Sequence, residues 1–281
     1  MRSLLLLLPG LGLFIAFFIV PFAVMIAISF MDGHFVRGDE IAFTLEHYRV
    51  IFSDPFYLRV MWNTLKLGLI TTAIALALGY PLAYQLSRTR NPNTRRLMLA
   101  AVLSPMMVGI VVRLYGWMTI LQDTGLINSA LLKLGLIRSP LPLMYNEFGI
   151  VVALVHVYIP FMILSIHGVI SGIDERLEEA AQNLGATRWQ AFLEVTLPLS
   201  MPGVLAGCLL VFSLAISSYV VPILMGGFQY MTLPVLVYQE IAGIFNFAFG
   251  AALAVLLLAM GIVVLVLYYR VMTQVHRGVM S

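Results

Sequence analysis

Six apolar runs dominate the chain: Leu4–Phe30, Met61–Ser87, Leu97–Leu121, Phe148–Ile170, Gly203–Met225 and Ile244–Arg270. A helix needs about 20 such residues to cross the hydrocarbon core of a bilayer, so each run is long enough to span. The predicted fold is all-α and polytopic, with six transmembrane helices in one transmembrane domain over residues 1–281. Composition agrees. Charged residues make up 10% of the chain and hydrophobic ones 61%, with a mean hydropathy of +0.99, whereas a soluble domain carries roughly 25% charged residues. Lipid tails solvate an exterior that water would not. The first run is too long for a cleavable signal and lacks a small-residue cleavage site after it, so it is expected to stay as an anchor helix.

Lys and Arg set the expected orientation. With the N-terminus inside, Arg2, Arg88, Arg90, Arg95, Arg96, Arg176, Arg188, Arg270 and Arg277 are cytoplasmic, and Arg37, Arg49, Arg59, Lys133 and Arg138 are outside. Nine against five favours both termini in the cytoplasm. The net charge of +3 therefore reflects membrane orientation, and no nucleic-acid partner is expected. Cys208 lies alone in an apolar run, where a packing thiol is expected. Two outer segments, Met31–Val60 and Gln122–Glu147, are longer than turns, and the second contains an apolar stretch, Ile127–Ile137, suited to the membrane surface.

The inner segment Ser171–Pro202 is the most informative. Asp174 and Glu175 stand where negative charge favours a helix start. Leu177, Ala180, Ala181 and Leu184 recur at helical spacing and make one apolar face. Gly185 follows, where a left-handed C-terminal cap is expected. Thr187 and Gln190 form a capping-box pattern for a second helix, with its own apolar face at Trp189, Phe192 and Leu193. Pro198 and Pro202 are expected to close the segment before the fifth span. The small Ala180 and Ala181 allow another surface to approach closely. Periodicity alone leaves open whether that surface is a partner protein, the membrane or the chain's own helices.

Glu179-Ala180-Ala181, then Gly185, Val195 and Leu197-Pro198, resemble the cytoplasmic signature of ABC-importer permeases, with Val195 in place of the usual isoleucine. Tyr48–Asn63, Arg113–Asn128 and Pro160–Gly227 resemble the spermidine/putrescine permeases of that family, so the likeness covers most of the chain. It implies the type I ABC importer permease fold, in the bacterial inner membrane. It also implies that Glu179–Leu184 is a coupling helix, hinged at Gly185, that docks on a cytoplasmic ATPase. Further implied partners are a dimer of that ATP-binding subunit, a second and different permease, and a periplasmic solute-binding protein. The implied cargo is a small solute: a polyamine or, in relatives, an amino-acid-like compound or aminophosphonate. The only lysines are Lys66 and Lys133, and neither follows a glycine, so no P-loop exists here. ATP and Mg are thus expected on the partner ATPase, with no cofactor in this chain.

Polar residues within spans are functional candidates by default. Arg113, near Tyr115 and Trp117, either snorkels or pairs with a helix-end carbonyl, or it borders the substrate path. Ser217, Ser218 and Tyr219 interrupt the fifth span before Pro222; they either bond to helix backbone or line the path, with Tyr219 the best single candidate. His156 and His167 are expected as packing residues, without carboxylate or cysteine at metal spacing, so no metal is expected. Asp123 and Glu240 lie at outer span ends. With Asp32, Asp39, Glu40, Glu46, Asp54 and Glu147 they give the outer side eight acids against five bases, an arrangement that attracts a cationic solute. Gly203-x-x-x-Gly207 predicts close helix packing. No nucleophile–base constellation is evident, so the chain is expected to catalyse nothing by itself. An ATP-independent channel or carrier would need a charge relay or internal repeats, and a membrane enzyme would need clustered catalytic groups; neither pattern is present.

Overall fold

A computed structural model describes residues 10–32, 42–227 and 229–279, with side chains through Arg270. Arg2 and the start of the first run, residues 4–9, lie outside the described residues, as do Arg37, Asp39 and Glu40 of the outer segment and the side chain of Arg277. The helices, in order, are α1 (Gly10–Ile28), α2 (Glu46–Ser53), α3 (Pro55–Arg88), α4 (Pro92–Met107), α5 (Ile110–Leu121), α6 (Leu126–Lys133), α7 (Glu147–Ile170), α8 (Glu175–Asn183), α9 (Arg188–Ser217), α10 (Val220–Gly226), α11 (Leu233–Ile244) and α12 (Phe247–Val279). Two short strands, β1 (Met31–Asp32) and β2 (Ala42–Phe43), pair antiparallel with Met31 opposite Phe43. Among the described residues five helices are long and apolar enough to cross a membrane, or six if the bent pair around Val108 counts as one span.

Contacts divide the chain into two units, Met1–Trp62 with Thr232–Met260 and Asn63–Met231 with Gly261–Ser281. In the first, Phe30 stacks on Phe43 and packs against Tyr48, while the Ser29 hydroxyl bonds to that of Tyr48 at 2.7 Å. This aromatic knot ties the end of α1 to β2 and α2. None of the apolar window of α1 is buried among the described residues.

The second unit is built around α7. This helix is apolar all round, which marks a buried helix, and Ile150, Leu154, Met162, Ile166 and Ile170 are fully buried. α9 lies close against it at Gly203 and Gly207. A Cβ on Gly207 would stand 2.7 Å from Met162 Sδ, and one on Gly203 would stand 2.9 Å from Val169 Cγ2 and 3.0 Å from the Ser165 carbonyl. The small-xxx-small pattern thus performs the close packing it predicts.

Three expected boundaries need correction. The third run, Leu97–Leu121, is not one straight span: α4 and the helical stretch from Ile110 onward meet at 98°. Val108 and Gly109 adopt extended ψ values of 132° and 141° there, and Gly109 serves as the N-cap of α5. Second, Pro198 and Pro202 do not end the inner segment. Both lie inside a 30-residue helix, α9, which contains a π-helical turn at Phe192–Thr196. A proline lacks an N–H and crowds the carbonyl four residues earlier; the wider turn just before Pro198 accommodates this without a break. Third, the fifth run does not continue to Met225 as one helix, because α9 stops at Ser217 and Ser218 is extended, with ψ 126°. Pro222, which cannot donate back to the Ser218 carbonyl, lies inside α10.

α6 falls within the stretch expected at the membrane surface and exposes Leu126 and Leu132, followed by Leu134 and Leu136. Asn128 is fully buried. It donates to the carbonyls of Gln122 and Leu141 and accepts from Leu141 N at 2.8 Å, which pins α6 to the segment that follows it.

Candidate functional site: the coupling loop and the intramembrane polar cluster

The loop between α7 and α9 is shaped by local chemistry. Asp174 is the N-cap of α8 and accepts from Arg176 N at 2.9 Å, satisfying one of the helix's open donors. At the other end Gly185 takes φ +99°. Gly185 N donates to the Gln182 carbonyl and Ala186 N to the Ala181 carbonyl, the paired bonds of a Schellman C-terminus. Thr187 and Gln190 then form a complete capping box at the start of α9. Through these three caps α8 is a defined element of nine residues, flanked by glycine-containing turns.

α8 presents two faces. One is apolar and open: Leu177 is 47% exposed and Leu184 91% exposed, with Ala180 exposed between them. The other is acidic and turned onto the chain itself. The Glu178 side chain retains 14% exposure and pairs with Arg88 at 2.7 Å, while Glu175 pairs with Arg90 at 3.0 Å. Glu178 also accepts from the Tyr84 hydroxyl at 3.1 Å and from the Thr196 hydroxyl. Burial by itself would raise the Glu178 carboxyl's pKa. The hydrogen bonds from Thr196 and Arg88, with the Arg88 charge, outweigh it and hold the carboxyl below its ordinary range, so it is ionised at neutral pH. Glu179, the signature acid, is 62% exposed at its side chain and stands 4.0 Å from Arg90. Val195, Leu197 and Pro198 of the signature lie half-buried in or beside the π turn of α9. The residue that joins this loop to the membrane helices is thus Glu178, which spacing did not single out. Its partners Tyr84 and Arg88 are about 90 residues away in the chain; the available signal was that Glu178 and Glu175, three apart, share a helix face.

The ion pairs also join the two ends of these helices. Arg88 at the end of α3 and Arg90 just after it meet α8, so the loops after α3 and after α7 lie together at one end of these helices. Eleven residues into α3 from its other end, Lys66 pairs with Glu147 at the start of α7 at 2.6 Å. About 22 residues separate Lys66 from Arg88, or ~33 Å of helix at 1.5 Å per residue, which matches the roughly 30 Å hydrocarbon core.

Within the span region of the second unit, the proposed path residues divide. Arg113 and Trp117 on α5 come together with His156 and Tyr158 on α7. The Trp117 and His156 rings meet edge to face at 5.5 Å, and the charge of Arg113 bears on His156 and Tyr158. Tyr158 and Ser218 meet through their hydroxyls, so the break after α9 borders the same cluster. Arg113 Nε and Nη1 and His156 Nδ1 are buried without a partner among the described residues. A cavity of about 270 Å³ adjoins His156, walled otherwise by apolar residues such as Leu82, Val102 and Ile163. Ser217 instead bonds to its own helix at the Ser213 carbonyl, 2.9 Å, which is the backbone-bonding alternative. Tyr115 and Tyr219 are 58% and 43% exposed, Asp123 is exposed in the turn after α5, and Glu240 belongs to the first unit. No group of three or more His, Cys, Asp or Glu side chains suited to a metal occurs among the described residues.

The described residues thus form a bundle of long apolar helices with a capped, exposed helix on the loop between two of them. Over residues 8–277 the chain matches the family described as binding-protein-dependent transport system inner membrane component, and it belongs to that family. It is 34% identical over 265 residues to the spermidine/putrescine transport system permease protein PotB of Haemophilus influenzae, covering 94% of this chain and 92% of that protein. It is likewise 34% identical over 272 residues to PotB of Escherichia coli, covering 95% and 97%. Its fold matches a chain of a bacterial alginate ABC transporter solved with its pentasaccharide-bound periplasmic protein. There the TM-score is 0.78 at 18% identity, with 95% of this chain and 92% of that one covered. The helical importer-permease fold expected from the sequence is therefore the observed one, with five apolar spans among the described residues, or six if the bent pair counts as one.

Proposed function

We propose that this chain is the conduit through which a cytoplasmic ATPase dimer drives import of a polyamine across the bacterial inner membrane, with both termini cytoplasmic. The observation that carries the coupling part is the exposed apolar face of α8, Leu177, Ala180 and Leu184, held on a capped helix beside the membrane. An apolar stripe at helical spacing on an otherwise polar loop fits a groove on a partner. ATP and Mg belong to that partner, and its closure pushes α8. A periplasmic binding protein delivers solute to the outer face, where the segment Met31–Val60 is the proposed contact, and a second, different permease completes the pathway. Arg113, Trp117 and Ser218 are proposed to border the path, with Tyr115, Ser217, Tyr219, Asp123 and Glu240 beside it. The relatives' names and the acidic outer side support polyamine as cargo.

One observation favours a second solute class. The buried, unpartnered nitrogens of Arg113 suit an anionic group, as in an amino-acid-like compound or an aminophosphonate. Reconstitution with the ATPase, binding protein and second permease separates the two. Spermidine or putrescine is expected to stimulate ATP hydrolysis several-fold and to accumulate in the vesicles. Indifference to both, with stimulation by an aminophosphonate, rejects the polyamine reading. Uptake without the ATPase rejects the coupling reading, and an active transporter holding only one permease type rejects the heterodimer.

A further inference from the structure

α8 is joined to its neighbours by poor levers. Gly172 lies in the turn before it, and Gly185 holds a left-handed conformation after it. A push on α8 therefore reaches the membrane helices only if something other than the backbone ties it to them. That tie is visible. The Glu178 Oε1 atom accepts from Arg88 Nη2 on α3 and from Thr196 on α9, and Oε2 accepts from Tyr84 on α3. Arg88 Nη1 also donates to the Ile173 carbonyl at 3.1 Å, just beyond the end of α7. A pair with both side chains 14% exposed is shielded from solvent, where electrostatic links are stronger and more directional than at an open surface. The apolar stripe of α8 points elsewhere, so force enters on one face of the helix and leaves from another.

We propose that Glu178 is a positioning residue for transport, a latch that fastens α8 to the end of α3 and the start of α9 so that the three move together. This rests on the reading of α8 as the ATPase contact. It adds the route by which displacement leaves that helix, carried by one carboxylate with three side-chain partners.

The complete reconstituted transporter tests it. Solute imported per ATP hydrolysed, with spermidine as the probe, is compared among wild type, Glu178→Gln, Thr196→Val and Tyr84→Phe. Loss of the charge at position 178 is expected to lower that ratio by about fivefold or more, the range of ordinary coupling energies, while ATP is still consumed. Thr196→Val and Tyr84→Phe, each removing one hydrogen bond, are expected to lower it less. A second readout is independent of the solute: spin labels at Gln85→Cys on α3 and Gln182→Cys on α8, in a Cys208→Ser background. Their separation is expected to stay the same in wild type between the nucleotide-free and vanadate-trapped states and to diverge in Glu178→Gln. A structural contact with no role in coupling would instead reduce uptake and hydrolysis in proportion and leave the label separation constant in every variant, and that result overturns the proposal. If Glu178→Gln does not assemble, Thr196→Val and Tyr84→Phe decide by the same two readouts. Failure of the coupling reading is distinct, because spermidine uptake by the wild type would then not depend on ATP hydrolysis.

Discussion

Replacing Gly185 with valine is expected to cut import about tenfold or more, the effect of roughly 1–3 kcal/mol of backbone strain, while the protein still inserts and accumulates normally. Two facts give this prediction its direction. Gly185 sits at φ +99°, and a Cβ placed there would meet nothing within 4 Å. The cost is therefore conformational, not a clash, and neighbouring side chains cannot relieve it by moving. The backbone must turn instead, which breaks the Gly185–Gln182 and Ala186–Ala181 bonds and re-aims α8 relative to α9. Alanine should show the same loss in weaker form, because β-branching narrows the permitted backbone further. Import rates normalised to membrane abundance check it. Wild-type rates in the valine variant would place the hinge elsewhere.

The second large effect is on the fold itself. Leucine at both Gly203 and Gly207 is expected to drive α9 away from α7 and to abolish recovery of folded protein in detergent. The atoms a side chain would meet at Gly203 include the Ser165 backbone carbonyl, which cannot swing aside as a side-chain tip can. Overpacking costs about 1–3 kcal/mol per site, and the two sites lie one turn apart on the same seam, so the penalties compound. Gly207→Leu alone, which meets the flexible Met162 side chain first, should remain extractable with a lowered thermal midpoint. An unchanged midpoint would show that the seam can open at little cost. Alanine at each site is the milder variant, since its methyl group would already stand 2.7 Å from Met162 Sδ at position 207 and 2.9 Å from Val169 Cγ2 at position 203 but adds nothing beyond it.

What could be read from the sequence was local or one-dimensional. Span positions follow from hydropathy, and the caps at Asp174, Gly185 and Thr187 follow from residues no more than a turn away. What could not be read depends on partners far along the chain or on the faces of helices apolar all round. An evenly apolar helix carries almost no information about which side is inward, so nothing marked His156 as the neighbour of Trp117 or Tyr158 as the neighbour of Ser218. The prolines misled for a related reason. Pro198 and Pro202 are ordinary stop signals in isolation, yet the helix runs through both, passing Pro198 by way of the π turn at Phe192–Thr196. The right-angled turn at Val108–Gly109 sits inside a run whose hydropathy never falters. Glu178 was hidden by its neighbour: in Glu178-Glu179 the signature draws the eye to the second acid, and burial singles out the first.

The two ionic layers on α3 carry a consequence for the protein's dealings with its lipid. Lys66 is fastened to Glu147 at one level and Arg88 to Glu178 at another, about one hydrocarbon thickness apart. A helix tied at both of these levels to α7 and α8 cannot ride up or down independently of them. In a thicker bilayer either the lipid must thin around it or, in a thinner one, the helix must lean, at a cost of fractions of a kcal/mol per ångström of mismatch. Because the lower anchor is also the carboxylate that grips α8, any lean would be felt at the loop. A change of membrane thickness would then be felt in the resting geometry of this loop.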